Sequence, residues 1–184
     1  MTSAANKKSS HTMVEGYRLS TSFPYLARRV GARIGELFEL AAAPLGIDVP
    51  TYRVLAALRE QGGQRLGDLS KATVIPLPTL SRLVGTMSQA GLVTRDRPES
   101  NGRIVAINLL PQGRMLVEAL IPVAVRLEQC AVAGMAAEEI ARLKAQLAKS
   151  FKNLDAVEDE IRSGGELAQV AKHIAGAKRE RKHA

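Results

Sequence analysis

The sequence predicts a mainly α-helical protein with a small β-hairpin, and three patterns within residues 66–110 lead to this prediction. Apolar residues recur at helical spacing from Leu66 and again from Leu80, and a tight break at residues 74–76 separates the two helices. After Gly91 the spacing changes to alternation on both sides of a polar turn at residues 98–102, which indicates two paired strands. Two short helices followed by a hairpin form a winged helix-turn-helix, flanked here by long N- and C-terminal helices.

Length and charge narrow the class of protein. A chain of 184 residues can form one small domain with additional helices, but not two large domains. Lys and Arg outnumber Asp and Glu by 26 to 18, and a net charge of +8 is expected of a protein with a polyanionic partner. The alternative is a basic protein that binds nothing in particular, so charge alone does not decide between the two. Aromatic residues make up 3% of the chain and Trp is absent. Few side chains are therefore available to stack on bases, as the aromatic residues of single-stranded nucleic acid binders do. Double-stranded DNA is therefore favoured over RNA.

Cysteine and histidine usage gives no sign of a metal site. The single Cys130 excludes an intramolecular disulfide, and the three histidines have no ligand spacing, so we expect neither a metal nor a cofactor. Cys130 falls late in an apolar helix, where we expect a buried and inert thiol. The sequence contains no signal-peptide pattern and no apolar run of membrane-spanning length, so we expect a cytoplasmic protein without a membrane partner.

The N-terminal part divides into a tail and a helix. Residues 1–17 are small and polar without a period, which predicts a mobile tail. Residues 18–48 contain a long helix, from about residue 22 to 42, with Pro24 in its first turn and Pro44 and Gly46 at its end. Its predicted apolar stripe consists of Leu26, Val30, Ile34, Leu37, Phe38 and Ala41.

Residues 49–110 form the predicted reading head, the winged helix-turn-helix itself. Asp48 to Thr51 opens its first helix. The positions of this helix that can face a core are Tyr52, Val54, Leu55 and Leu58. Residues 61–64 form the loop before Leu66, and winged-helix proteins usually have a short first strand near this point. The last strand is expected to use Ile104, Ala106 and Leu109 in its alternation.

Residues 111–162 contain two further amphipathic helices, separated at Gly134, and Pro122 is expected to bend the first of them. The first stripe is Met115, Leu116, Ala119, Leu120, Val123, Leu127 and Ala131. The second stripe is Ile140, Leu143, Leu147, Phe151, Leu154, Val157 and Ile161. Residues 163–184 begin with a Ser-Gly-Gly break and form a basic tail.

Long amphipathic helices at both ends of the chain need a surface against which to bury their stripes. A second copy of the chain is the simplest such surface, so we expect a homodimer held by the N- and C-terminal helices. The alternative is that the helices fold back on the reading head of their own chain, although a head of this size leaves much of the three stripes uncovered.

The second helix of the helix-turn-helix carries the candidate DNA contacts. With Leu80, Leu83, Val84 and Met87 turned inward, its polar residues face outward, where hydroxyls can bond phosphates and an arginine can bond guanine. The predicted DNA-binding residues are Lys71, Pro78, Thr79, Ser81, Arg82, Thr86 and Gln89 on the helices, and Arg95, Arg97 and Arg103 on the wing. The alternative is that the helical residues form an ordinary polar surface and that the wing arginines pair with Asp96 and Glu99.

Several motifs recur here in an order and spacing that resemble the MarR family of transcriptional regulators, over about residues 20 to 160. The motifs are Leu69-Ser70-Lys71-Ala72, Pro78-Thr79-Leu80-Ser81-Arg82-Leu83-Val84, Gly91-Leu92-Val93-Thr94-Arg95, Arg103 and Leu110-Pro111-Gln112-Gly113-Arg114. The resemblance implies a homodimer on a pseudo-palindromic operator, usually a repressor released by a small ligand, with Thr79, Ser81 and Arg82 on the recognition helix and Arg103 as the wing arginine.

The chain also departs from the family pattern. Asn101-Gly102-Arg103 stands where the family often has Asp-Arg-Arg, Val74 where Gly is common, and Pro76 where a capping Ser is common.

The resemblance further implies a small-molecule effector. Family members commonly bind aromatic acids or aryl thioesters in a cleft between the dimerisation helices and the head. The residues that could line such a cleft are Tyr25, Arg28, Arg29, Tyr52 and Arg53. One alternative function is a winged-helix module that binds a protein instead of an operator. An enzyme is not predicted, because no catalytic grouping is visible in the sequence.

Overall fold

A computed structural model describes residues 16–96 and 106–169. The helices of this part of the chain are α1 (Phe23–Ala42), α2 (Val49–Glu60), α3 (Leu66–Thr73), α4 (Leu77–Gln89), α5 (Pro111–Ala131) and α6 (Ala137–Arg162). The strands are β1 (Gln64–Arg65), β2 (Val93–Asp96) and β3 (Ala106–Leu109). The chain divides into two compact units, Met1–Ala131 and Val132–Ala184. The mainly helical fold with a small antiparallel sheet is as predicted.

The first helix has the predicted bounds and the predicted end. Pro24 lies in the first turn of α1, where its missing amide proton costs no helical hydrogen bond. A short 3-10 turn, Ala43–Leu45, follows α1 and ends at Gly46, whose φ of 64° lies in the left-handed region that glycine tolerates.

The next helix is capped and anchored by side chains. The Asp48 carboxylate accepts a hydrogen bond of 2.9 Å from the backbone N–H of Thr51 and so begins α2. At the other end, the buried Gln64 side chain donates 2.8 Å hydrogen bonds to the carbonyls of Ala57 and Gln61. These bonds join the end of α2 to strand β1, which lies where a short first strand was predicted.

Two side-chain hydroxyl groups stabilise the turn of the helix-turn-helix by hydrogen bonds to backbone carbonyls. Ser70 donates a 2.7 Å hydrogen bond to the carbonyl of Ile75. Thr73 donates to the carbonyl of Leu69, also at 2.7 Å. Helix α4 then buries one stripe against the head, as predicted. The core of the head consists of Val54, Leu55, Leu58, Leu69, Ile75, Leu80, Val84, Met87, Leu92, Val93, Ile107 and Val117.

The sheet has the strand order β1-β3-β2, with both pairs antiparallel. Val93 pairs with Leu109 and Arg95 pairs with Ile107, so these four residues share one face of the pleat. The predicted alternation through Ala106 is therefore wrong. Ile107 is the buried residue of β3, because the pairing register with β2 decides which residues face the core.

Helix α5 has the predicted extent but a different buried face. Met115, Ala119 and Ala131 are exposed, so the predicted stripe is wrong at three positions. Gly113, Val117 and Leu120 are the buried residues of this helix. Its packing partners, α1 on one side and α2 with the sheet on the other, select this face. The helix continues through Pro122, and the bend expected there stays a prediction.

Helix α1 buries only the C-terminal part of its predicted stripe. Phe38 and Ala42 form a second core cluster with Leu120 of α5, and Ala42 takes the buried place that was predicted for Ala41. Leu26 and Val30 stay about half exposed. Within one chain, the N-terminal part of α1 therefore presents an uncovered apolar surface.

The second unit contains the long helix α6. Glu139 in its first turn accepts a 2.8 Å hydrogen bond from the backbone N–H of Ala136, and a carboxylate is stabilising at a helix N-terminus. The predicted stripe lies largely in the open, with exposed fractions of 41–61% at five large apolar side chains. These side chains are Leu143, Leu147, Phe151, Leu154 and Ile161.

Candidate nucleic-acid interface

The outer face of α4 presents polar side chains opposite its buried stripe. Thr79, Arg82, Thr86 and Gln89 are exposed, while Leu80, Val84 and Met87 lie in the core. The helix contains one arginine and no acidic residue, so nothing on it repels a phosphate. Lys71 on the preceding helix α3 is exposed as well.

The residues of this face are not equally free to contact a ligand. The Thr86 hydroxyl donates a 3.3 Å hydrogen bond to the carbonyl of Arg82, within the helix itself. Ser81 is only partly exposed. Gln89 ends the helix, about 15 Å along the axis from Thr79 at the usual rise per residue. Pro78, Thr79 and Arg82 are the exposed predicted contacts in the N-terminal half of α4.

Arg95 reaches from the wing to the recognition helix. Because Arg95 lies on the same face of the pleat as the buried Val93 and Ile107, its side chain points towards α4. Its Nη2 donates a 2.9 Å hydrogen bond to the carbonyl of Ser81. The wing strand β2 is therefore tied directly to the helix that carries Arg82.

The opposite face of the sheet carries a polar network at the base of the wing. The Asp96 carboxylate accepts hydrogen bonds from the Thr94 hydroxyl at 2.9 Å and from the Asn108 side-chain amide at 3.1 Å. Thr94 and Asn108 are directly paired across the two strands. Among the described residues, Asp96 thus stabilises the strands instead of pairing with Arg95. The other wing arginines, Arg97 and Arg103, lie outside the described residues, as do Ile104 and the turn at residues 98–102.

Four of the five predicted effector residues line neighbouring hollows on α1. Tyr25, Arg28 and Arg29 line one hollow, together with Leu19, Pro24 and Ala32. Arg28 also lines the adjacent hollow, which Arg53 of α2 borders. The guanidinium of Arg29 lies over the Tyr25 ring, 5.6 Å from its centroid, which is cation–π geometry.

Tyr52 lies apart from these hollows. Its ring packs against Phe38 with centroids 4.4 Å apart, and it contacts both apolar clusters. Burial raises the pKa of its phenol above the ordinary value. Tyr52 is therefore a packing residue between the head and α1.

Cys130 was predicted to be buried, and this prediction is wrong. It is exposed near the end of α5, where the helix has run beyond the core of the head. It lines an apolar cleft of about 740 Å³ between α1 and α5, and other residues of that cleft include Leu26, Val30 and Leu127. Arg29 lines both this cleft and the hollow at Tyr25.

An ion pair joins the head to α5. Arg59 Nε lies 2.7 Å from Glu118 Oε1, and Arg59 Nη2 lies 3.2 Å from Glu118 Oε2, so the guanidinium binds both carboxylate oxygens. The hydrogen bond to Arg59 lowers the pKa of Glu118, and the bond to Glu118 raises the pKa of Arg59. Both side chains are partly exposed, so solvent weakens the pair.

The sequence did not predict the side-chain contacts that join the wing to α4 and the head to α5. The bonds from Arg95 to Ser81 and from Arg59 to Glu118 join residues 14 and 59 positions apart. No local pattern predicts contacts between elements at such separations. The alternation of β2 was the one available signal, since it places Arg95 on the face of Val93.

Within residues 16–96 and 106–169, no group of three or more His, Cys, Asp or Glu side chains could hold a metal ion. In the same part of the chain, no helix is both long and apolar enough to cross a bilayer.

The helix-turn-helix, the sheet and the exposed face of α4 together define a winged helix-turn-helix protein. Residues 45–104 match the model of the MarR family. Over these residues the chain is similar to the MarR family of transcriptional regulators.

Curated and solved proteins are similar to the chain over most of its length. The HTH-type transcriptional repressor IacR of Pseudomonas putida is 28% identical over 72% of this chain and 80% of its own length. A MarR-family regulator from Silicibacter pomeroyi has a TM-score of 0.67 at 27% identity, over 74% of this chain and 92% of its own. BpsR of Bordetella bronchiseptica, whose DNA binding is regulated by 6-hydroxynicotinic acid, has a TM-score of 0.66 at 28% identity, over 73% of this chain and 96% of its own.

Proposed function

We propose that this protein is a dimeric transcriptional repressor that binds a pseudo-palindromic DNA operator and is released by a small aromatic acid. The main support is the outer face of α4, where Thr79 and Arg82 stand exposed on a helix without acidic residues. Helices of this kind enter the major groove with their N-terminal residues at the base edges. The named repressor among the relatives supports the same function.

The proposed residue roles follow from exposure and hydrogen bonding. Arg82 would bond guanine, and Thr79 and Lys71 would contact phosphate or base edges. Arg95 would hold the wing against α4 through the Ser81 carbonyl. The remaining proposed DNA contacts are Pro78, Ser81, Thr86, Gln89, Arg97 and Arg103.

The proposed dimer brings two reading heads to half-sites about 34 Å apart, one turn of the duplex. The uncovered apolar surfaces support a dimer held by residues 18–48 and 111–162. They include Leu26 and Val30 on α1 and Leu147 and Phe151 on α6, which are 43–56% exposed in the single chain. Exposed apolar surface of this extent is typical of interaction sites.

The proposed effector is an aromatic carboxylate. Arg28 lines both hollows on α1, so a guanidinium is available to an acid bound in either one. Tyr25 adds an aromatic wall, and Arg53 a second cation. The regulation of BpsR by 6-hydroxynicotinic acid supports this class of ligand. Because linkage is reciprocal, an acid that weakens DNA binding must itself bind more weakly when DNA is present.

Salt dependence of DNA binding tests the proposal. Affinity for a duplex selected by the protein from a random-sequence pool should fall with salt, with a log–log slope of about −6 to −10 for a dimer. Arg82→Ala should weaken binding and relax the preference for one guanine, by about 1–3 kcal/mol. Arg126→Ala, which removes the same charge from an exposed site on α5, is the matched control.

The alternative function, a module that binds a protein partner through the same fold, predicts different results. It predicts no selected duplex, or binding that neither salt nor Arg82→Ala weakens. The relatives are regulators, so we propose no enzymatic activity. A regulator of this kind would act on the chromosome in the cytoplasm.

A further inference from the structure

Two large apolar side chains are exposed to solvent at the start of the second helix of the helix-turn-helix. Val74 in the turn is 69% exposed, and Leu77, the first residue of α4, is 48% exposed. Among the described residues of the head, 49–96 and 106–110, no other large apolar side chain is exposed to this degree. The rings of Pro76 and Pro78 are exposed between and beside them. We call Val74 and Leu77 the apolar edge.

The backbone conformation at Val74 is strained for a residue with this side chain. Val74 has a φ of 56° and a ψ of 33°, which is the left-handed conformation. It is the one non-glycine residue with a positive φ in the described part of the chain. A β-branched residue is disfavoured there, and glycine would take up this turn without steric strain. Val74 strains the turn, and its side chain buries little apolar surface. The stability of the fold therefore does not explain why valine occupies this position.

The surroundings of the apolar edge point to a polyanion with apolar groups on its surface. Lys71 precedes the edge and Arg82 follows it, both exposed, and α4 carries no acidic side chain. In a duplex, the major groove displays one apolar group at its base edges, the C5-methyl of thymine. The N-terminal residues of a recognition helix are those that reach the base edges.

We propose that Leu77, with Val74 beside it in the turn, contacts the C5-methyl groups of thymines and so sets part of the sequence preference. This inference rests on the proposed DNA-binding function and adds a specificity-determining contact to it. Arg82 then reads guanine by hydrogen bonds while the apolar edge reads thymine by apolar contact.

Uracil interference tests this contact directly, because uracil pairs like thymine but lacks the methyl group. The full-length protein selects a duplex from a random-sequence pool, and that duplex is remade with sparse uracil in place of thymine. Bound and free fractions are separated and cleaved at uracil. We expect thymines within each half-site to be needed, with about fourfold weaker binding for each contacted methyl group removed.

Variants assign the effect to the apolar edge. Leu77→Ala should abolish the thymine preference at one or more positions, so that thymine and uracil duplexes bind it equally there. Leu167→Ala is the control, since Leu167 is 48% exposed, as Leu77 is, but lies outside the head and outside the proposed dimer helices. Val74→Gly should keep the fold, which the left-handed turn favours, and should lose any thymine contact that Val74 makes.

The outcomes separate this inference from the function on which it rests. If the wild-type protein selects a duplex with steep salt dependence but binds its thymine and uracil forms equally, the methyl contact is overturned and the DNA-binding function stands. The contact is also overturned if Leu77→Ala and Val74→Gly both keep the full thymine preference. If no duplex is selected, the proposed function fails and the inference fails with it.

Discussion

Gly113→Ala should destabilise the protein, although alanine is the better helix former. Gly113 is buried near the start of α5. A Cβ atom added there would overlap the carbonyl oxygen of Leu92 and lie 3.0 Å from its carbonyl carbon. That oxygen cannot move freely, because it accepts a 3.0 Å hydrogen bond from the N–H of Leu110. The glycine therefore allows α5 to pack directly on the backbone between α4 and β2.

The size of the effect follows from three terms. Helix propensity alone would favour alanine by about 1 kcal/mol. Overpacking costs about 1–3 kcal/mol, and the upper value applies because the obstructing atom is backbone and cannot rotate away. Weakening the hydrogen bond to Leu92 adds about 1 kcal/mol. We expect a net loss of about 2–3 kcal/mol in the free energy of unfolding.

Urea unfolding at one fixed protein concentration measures this difference, with Gly31→Ala as the matched control. Gly31 also lies within a helix, but nothing lies within 4 Å of a Cβ added there. The control should gain about 0.5–1 kcal/mol from propensity. The reasoning would be refuted if Gly113→Ala were as stable as the wild-type protein, or gained as much as the control.

Three further substitutions test other contacts. Because Arg59 lowers the pKa of Glu118, this carboxylate stabilises the fold above the ordinary glutamate pKa and stops doing so as the pH falls through its folded value. The difference in unfolding free energy between wild type and Glu118→Gln should therefore be present at neutral pH, and it should shrink as the pH falls below the ordinary glutamate pKa and through the lowered pKa of the folded protein. Leu147→Glu should split the proposed dimer in sedimentation, because it places a charge on the open stripe of α6. Arg95→Ala should weaken DNA binding without changing the salt slope, because its guanidinium is bonded to the Ser81 carbonyl.

Each of these three has its own check. A constant difference across the pH range would show that Glu118 acts by packing instead of by charge. Gln146→Glu adds the same charge at an exposed position next to Leu147 and should leave the dimer intact. A salt slope reduced by about one in Arg95→Ala would make Arg95 a phosphate contact and not a positioning residue.

The sequence predicted the elements well where their signals are local. The bounds of α1, the cap at Asp48 and the break at Val74 depend on residues within one or two helical turns of each other. The same holds for the buried stripe of α4, whose outer face then follows by periodicity.

Errors occurred where a neighbouring element decides burial. Ile107 and not Ala106 faces the core, because β2 sets the register of β3. Val117 replaces Met115 and Ala119 in the core, because α5 is covered from two sides by different elements. Cys130 is exposed, because α5 extends past the surface that would cover it.

The sequence by itself therefore determined that the chain forms a winged helix-turn-helix between amphipathic helices, since periodicity, capping and turn residues act over short distances. Only the tertiary structure decided how the pieces meet. In the tertiary structure Arg95 bonds the Ser81 carbonyl, and Arg59 pairs with Glu118. The backbone of Leu92 packs against Gly113, and Leu77 is exposed to solvent. These outcomes depend on strand register and on helix packing between residues distant in the chain, which no local pattern encodes.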